Sequence, residues 1–385
     1  MKIAVIGIAS TPYGEWWDKS LRQLLAESQL AALADAGLAP QEIQEIFVAN
    51  MCAGQLSSQV NIGALATSIL GAHISGTRVE GACASGGLAL RAGIAAIESG
   101  RADVVMVSGV EKMSDVSHAQ GTQSLMSATC YETEGFVGAT FPALFALVTR
   151  AYMHKFGITR EHLATVSVKN HKNGSLNPRA HFRKEITIQD VLASVVIADP
   201  LTLLDCSPMS DGAATVIIST PEFAKKIGKL GVSIIGSGQA SDTLALSQRE
   251  TFTEFKATQY AAKQAFTIAG VTHKDIDLVE VHDAFTMAEI IALEDLGFFE
   301  HGQAGYATMA GQTALQSKLP VNMSGGLKAK GHPVGATGVG QIVELVEQLL
   351  GRSCSRQVRD ARMGLAHSMG GLGSTVTVHI LAQEL

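Results

Sequence analysis

A cysteine sits in Val79-Glu80-Gly81-Ala82-Cys83-Ala84-Ser85-Gly86-Gly87-Leu88, where a strand-like run gives way to helix-forming residues. A thiol at a helix N-terminus faces unpaired N–H groups and about half a positive charge, which favours thiolate and lowers the usual pKa of about 8.5. The glycines beside it let a substrate reach the sulfur. That combination predicts nucleophilic catalysis, against the alternative that Cys83 is a small buried hydrophobe like most free cysteines.

Three histidines occupy matching places. Asn322-Met323-Ser324-Gly325-Gly326-Leu327-Lys328-Ala329-Lys330-Gly331-His332-Pro333-Val334-Gly335-Ala336-Thr337-Gly338 is glycine-rich, and Pro333 restricts the backbone that presents His332. Leu278-Val279-Glu280-Val281 ends in His282-Asp283-Ala284-Phe285, and Met363-Gly364-Leu365-Ala366 ends in His367-Ser368-Met369-Gly370-Gly371. Ligands of open α/β sheets bind outside strand C-terminal ends, so His282, His332 and His367 are expected to converge with Cys83 on one cavity.

The elements that must position these residues recur in two halves. In the first half, Lys2–Ile8, Ile46–Asn50, Arg78–Gly81 and Asp103–Val107 read as strands, with helices over Leu21–Ala36 and Gly86–Ser99. The second half repeats the order with strands at Val232–Ile235, Leu278–Val281, Pro320–Asn322, Met363–Ala366 and Val376–Ile380, and helices at Gln259–Ala269 and Gly338–Leu350. Short apolar runs alternating with longer helices predict an α/β fold whose sheets are covered on both faces. Residues 1–113 and 191–230 form the expected N-terminal half and 231–385 the C-terminal half. Between them, 114–190 are expected to be an inserted loop domain covering the substrate.

Composition narrows the function classes. The 385 residues are 46 % hydrophobic and 17 % charged, ample for a large core, and the formal charge of −6 gives no footprint for nucleic acid. No apolar stretch approaches the roughly 20 residues of a spanning helix, and no cleavable leader is evident, so a cytoplasmic protein without membrane partners is expected. The five cysteines, Cys52, Cys83, Cys130, Cys206 and Cys354, show no Cys-x-x-Cys spacing, so neither a disulfide framework nor a metal site is expected.

The four chemistry-bearing stretches resemble the active-site motifs of the thiolase family, in the family's order and across the whole chain. Leu203-Leu204-Asp205-Cys206-Ser207-Pro208-Met209-Ser210-Asp211-Gly212-Ala213-Ala214 resembles a further signature of that family, one that makes Cys206 structural. Two motifs depart from the best-known members. His282 stands where many carry asparagine, as in sterol-carrier-type thiolases, and His367 stands in place of the second reactive cysteine, as in archaeal-type relatives.

The resemblance implies a duplicated five-layered α-β-α-β-α fold and a CoA-dependent thiolase. Cys83 would carry the acyl group, His332 would take its proton, and His367 would act on the acetyl-CoA enolate and on CoA. His282 and His332 would hold the enolising thioester oxygen, while backbone N–H groups of Cys83 and Met369 or Gly370 would hold the acyl-cysteine oxygen. Basic residues of the insertion, Lys169, Lys172, Arg179 and Arg183, are candidates for the CoA phosphates. Coenzyme A is expected as substrate, with no permanently bound cofactor. A homodimer or dimer of dimers is implied, as is a small OB-fold, zinc-ribbon partner subunit. The alternatives are an acyltransferase or decarboxylating ketosynthase relative using the same Cys/His site, or a thiolase subunit specific for a bulky aromatic or sterol-derived acyl-CoA.

Overall fold

The computed structural model describes residues 2–384. Its strands are β1 (Ile3–Ser10), β2 (Glu45–Ala49), β3 (Ser75–Val79), β4 (Val104–Glu111), β5 (Val196–Ala198), β6 (Leu201–Thr202), β7 (Gly212–Ser219), β8 (Val232–Ser241), β9 (Leu278–Glu280), β10 (Met363–Gly370) and β11 (Thr375–Gln383). All but β5 and β6 join one sheet in the order β3-β2-β4-β7-β1-β8-β11-β10-β9.

That order contains one pattern twice. In the N-terminal half the strands lie third, second, fourth, fifth, first by appearance. The C-terminal half repeats this when the Val279–Val321 bridge is taken as its third strand. The directions match too. β2 runs parallel to β3 and β4, and β9 runs parallel to β10 and to Val321, while β7 and β11 are antiparallel to their neighbours. The halves join through three residue pairs, Ile3–Ile234, Ala4–Ser233 and Val5–Val232.

Period-two alternation assigns each strand to two cores. Ile3 and Val5 of β1, and Val105 and Val107 of β4, enter a central cluster. Their neighbours Ala4, Ile6, Val104 and Met106 enter an outer one. Helices Leu21–Ala36 and Ile62–Leu70 cover that outer face, and helix Lys256–Ala269 covers the outer face of the second half. Helices Ser85–Glu98 and Val334–Leu349 lie between the half-sheets, completing five layers. These two buried helices cross at glycines. A Cβ on Gly86 would sit 2.7 Å from Gly338 Cα, and one on Gly338 would sit 2.6 Å from Gly87 N.

Several boundaries differ from the sequence reading. β7, the fifth strand of the first half, escaped it, because its first residues, Gly212–Ala214, belong to the stretch read as a family signature. The excursion between β4 and β7 therefore covers 112–211 rather than ending at 190. It is largely helical, over His118–Met126, Phe141–Phe156, Arg160–Ser175 and Ile188–Ala193, and closes with the β5–β6 hairpin. The second buried helix starts at Val334, immediately after Pro333, not at Gly338. Pro320–Asn322 contributes only the Val321 bridge. Among the described residues, no helix is long and apolar enough to cross a membrane.

Candidate active site

Cys83 lies in a single 3₁₀ turn, Ala82–Ala84, that feeds helix Ser85–Glu98. The turn is pinned from inside: Gly81 N–H donates to Ser85 Oγ at 3.0 Å, and Ser85 Oγ donates to Ala82 O at 2.6 Å. Ala82 adopts φ 53°, a strained conformation for a residue with a Cβ, next to the reactive side chain. From β10, Ser368 Oγ donates to Cys83 O at 3.2 Å.

His332 occupies the equivalent turn of the second half. Gly331 has φ 110°, where a side chain would be strained and would also strike Ser210. Thr337 Oγ1 donates to Pro333 O at 3.1 Å, so its oxygen is left to accept from His332 Nδ1 at 2.7 Å. This network assigns the proton to Nδ1 and leaves Nε2 as a free acceptor.

One donor atom each from Cys83, His282 and His332 lie within 4.8 Å of one another. The two imidazoles meet edge to face, centroids 5.2 Å apart. They open on a cavity of about 180 Å³ whose walls include Met113, Leu125, Phe141, Phe145, Met209 and Phe285. Thr122, Leu125, Phe141, Pro142 and Phe145 come from the excursion, which therefore roofs the site.

Burial sets the resting protonation. It pushes the Cys83 thiol up to about 12, with partial opposition from the backbone N–H groups of Gly371 and Cys83 itself, and it holds His332 down at about 3. Burial, with the two neighbouring histidines, keeps His282 well below its ordinary value. The sequence expectation of a helix-lowered thiol is thus overturned for the free protein, because desolvation outweighs the helix end. Neutral thiol faces neutral imidazole, and the proton must move as the substrate reacts.

The fourth motif is corrected most. His367 does not line the cavity; its Nε2 meets Thr258 Oγ1 at 3.1 Å, and its Nδ1 accepts from the backbone N–H of His282 at 3.4 Å. The register explains this. Ala366 pairs with Glu280, so continuing the ladder sets His367 level with Val281 and Ser368 level with His282. His367 therefore shares the outer face with Leu365 and Met369, and Ser368 takes the inner face.

The second oxyanion donor also moves. Met369 is in the outer core and Gly370 is paired with Thr375, whereas Gly371 lines the cavity and its N–H reaches the Cys83 sulfur.

Two of the proposed phosphate ligands are engaged elsewhere. Lys169 is buried against Glu289 at 3.0 Å and also donates to Val321 O, and Arg179 pairs with Glu347 at 2.5 Å. Lys172 and Arg183 are exposed.

Sequence reasoning missed Glu111, a buried glutamate that ends the apolar run of β4. Its carboxylate accepts from Asn50 Nδ2 and from the N–H groups of Met51, Cys52 and Gly335, clamping the His332 loop to the first half. Asp283 does similar work on the other side, accepting from Leu327 N–H at 2.6 Å and from Asn170 Nδ2 at 2.6 Å. A second cluster with metal-ligand spacing, Glu254, Asp295 and His301, already has Lys256 and Gln259 bound to its carboxylates.

A duplicated five-layered α/β scaffold that presents a cysteine and two imidazoles to a largely apolar cavity defines a class of acyl-transferring enzymes. Residues 3–222 match the thiolase N-terminal domain and residues 238–383 the thiolase C-terminal domain-like family. The chain belongs to the thiolase family. It is 48 % identical to an acetyl-CoA acetyltransferase of Methanothermobacter thermautotrophicus and 42 % identical to one of Methanocaldococcus jannaschii, each alignment covering 99 % of both chains. Among solved structures it is similar to the Ltp2-ChsH2(DUF35) aldolase, with a TM-score of 0.86 and 26 % identity over 99 % of this chain and 98 % of that one.

Proposed function

We propose that this protein is a CoA-dependent thiolase that reversibly cleaves a 3-oxoacyl-CoA, with acetoacetyl-CoA as the simplest substrate, through an acyl group on Cys83. The observation that carries the reading is the meeting of Cys83, His282 and His332 within 4.8 Å, with the Gly371 N–H at the sulfur.

His332 Nε2 takes the Cys83 proton as the sulfur attacks the 3-keto carbon. Delaying ionisation until attack suits a buried pair, since an isolated thiolate there is costly. The developing oxyanion accepts from the N–H groups of Cys83 and Gly371, each such donor being worth about 2.7–4 kcal/mol. His282 and His332 flank the position of the thioester oxygen of the enolising half. The C2–C3 bond breaks, the acyl group stays on Cys83, and CoA then removes it.

Lys172 and Arg183, on the exposed rim of the insertion, meet the CoA phosphates. The active form is a homodimer or dimer of dimers, in the cytoplasm. The similarity to the Ltp2-ChsH2(DUF35) aldolase supports a small OB-fold, zinc-ribbon partner for this chain. Pull-down from the native host tests that partner. The activity is tested by CoA-dependent loss of acetoacetyl-CoA enolate absorbance, together with intact-mass detection of one acetyl group on Cys83. Cleavage without an acylated Cys83 refutes the mechanism.

A further inference from the structure

Resting on the thiolase reading, one question is left open by the geometry: which group carries the second proton. Thiolysis must protonate the acetyl-CoA enolate and later deprotonate CoA. His367 is outside the cavity, Met369 has no proton to give, and Ala284 has no polar side chain. His332 is occupied with Cys83.

The cavity contains a second thiol. Cys206 lines it together with Cys83, His282 and His332. Its backbone bridges Phe285, and Ser207 N–H donates to Ala284 O at 2.8 Å, which fixes Cys206 beside the His282–Phe285 turn. Cys206 is half-buried, and its thiol donates to Thr202 O at 3.4 Å. His282 Nδ1, on a residue 1 % exposed, has no hydrogen-bond partner, a vacancy suited to a polar group of the substrate. Burial pushes the Cys206 thiol up to about 12, which the fully buried ammonium of Lys328 partly opposes, so the resting thiol holds its proton.

Cys206 also lines the cavity without joining the mutual contact of Cys83, His282 and His332. Its sulfur lies outside the group of atoms that are within 4.8 Å of one another around Cys83. A base in contact with the nucleophile would leave no room for the two carbons between them. A proton carrier elsewhere on the cavity wall does leave it.

We propose that Cys206 is the second acid–base residue of this enzyme. When the C2–C3 bond breaks, its electron pair goes to C2, and the Cys206 S–H gives C2 its proton. The resulting Cys206 thiolate takes the proton of the incoming CoA thiol. CoA sulfur bonds to the acyl carbon, the Cys83 C–S bond breaks, and Cys83 recovers its proton from His332. In the condensing direction Cys206 thiolate removes a C2 proton from acetyl-CoA, and C2 attacks the acyl carbon on Cys83.

The test compares wild type, Cys206→Ala and Cys83→Ala in two assays: deuterium wash-in at the acetyl-CoA methyl group, and acylation of Cys83 by acetyl-CoA. In Cys206→Ala, wash-in is expected to fall about 10²–10⁴-fold. Acylation should stay within about tenfold of wild type, since CoA leaves as a stable thiolate without acid help; that retention also shows the fold to be intact. Wash-in within a few-fold of wild type overturns the inference. So does a joint collapse of both assays to the Cys83→Ala level, which would mark Cys206 as structural. A wild type that never acylates overturns the thiolase reading itself.

Discussion

Two turns in this molecule occupy the same place in the duplicated unit and have diverged in chemistry. Gly81–Ser85 follows β3 and starts helix Ser85–Glu98, while Gly331–Val334 follows the Val321 bridge and starts helix Val334–Leu349. The first spends its backbone strain on Ala82, is pinned by Ser85, and presents a thiol. The second takes its left-handed residue as Gly331, is capped by Pro333 and clamped by Glu111, and presents an imidazole. Since the two helices touch at Gly86, Gly87 and Gly338, whatever heads one helix faces whatever heads the other. The duplicated unit thus sets two positions side by side, and in this sequence they hold a thiol and an imidazole.

The comparison breaks most sharply at Cys83. Cys83→Ala is expected to lower turnover by more than about 10⁴-fold while leaving the circular dichroism spectrum and melting temperature near those of wild type. His332→Asn should cost about 10²–10⁴-fold in kcat/KM, with acylation slowed as much as turnover. If His332→Asn slowed only deacylation, the assignment of His332 to the Cys83 proton would be wrong.

The helix crossing gives a smaller effect that sharpens the same point. In Gly338→Ala the new Cβ would meet the backbone at Gly87 N and Gly86 C, atoms that cannot swing aside. Overpacking of this kind costs about 1–3 kcal/mol. A lowered denaturation midpoint with unchanged slope, accompanied by loss of activity in the native protein, is expected. Full activity in a destabilised variant would show that the crossing holds the fold without aligning the pair.

How far the sequence revealed this follows from what each motif depends on. Cys83, His282 and His332 were legible because their loops are local: glycine, proline and a strand end fix the backbone within a few residues. The existence of an insertion between the halves was also readable, but not its helical build or its end at 211. His367 was not legible, because its direction depends on the β9–β10 register, and one residue of offset turns a side chain to the other face. The same strand runs to Gly370, and the next residue, Gly371, is the one that reaches the cavity. Glu111 and Asp283 act across long sequence separations on backbone N–H groups, and nothing near them in the chain announces their partners.

His367 itself gives the smallest expected effect on catalysis and the cleanest one on stability. Burial holds it neutral, with its pKa down at about 3 against an ordinary value of 6.5. The unfolded chain therefore binds a proton that the folded chain refuses, and this residue's stability contribution is present above pH 6.5 and lost as pH falls toward 3. Over that window the slope is about 1.4 kcal/mol per pH unit for each such histidine. His367→Asn should flatten the acid limb of the stability curve, measured by denaturant unfolding between neutral pH and the acid transition. At neutral pH it should cost about 1–3 kcal/mol, because Thr258 Oγ1 and the His282 N–H lose a partner of the right reach. Its kcat should fall less than about tenfold, far less than in His332→Asn, since a group acting only by holding His282 in place leaves proton transfer itself intact. A loss as deep as that of His332→Asn, with deuterium wash-in abolished, would return His367 to the reaction and require β10 to shift its register when substrate binds.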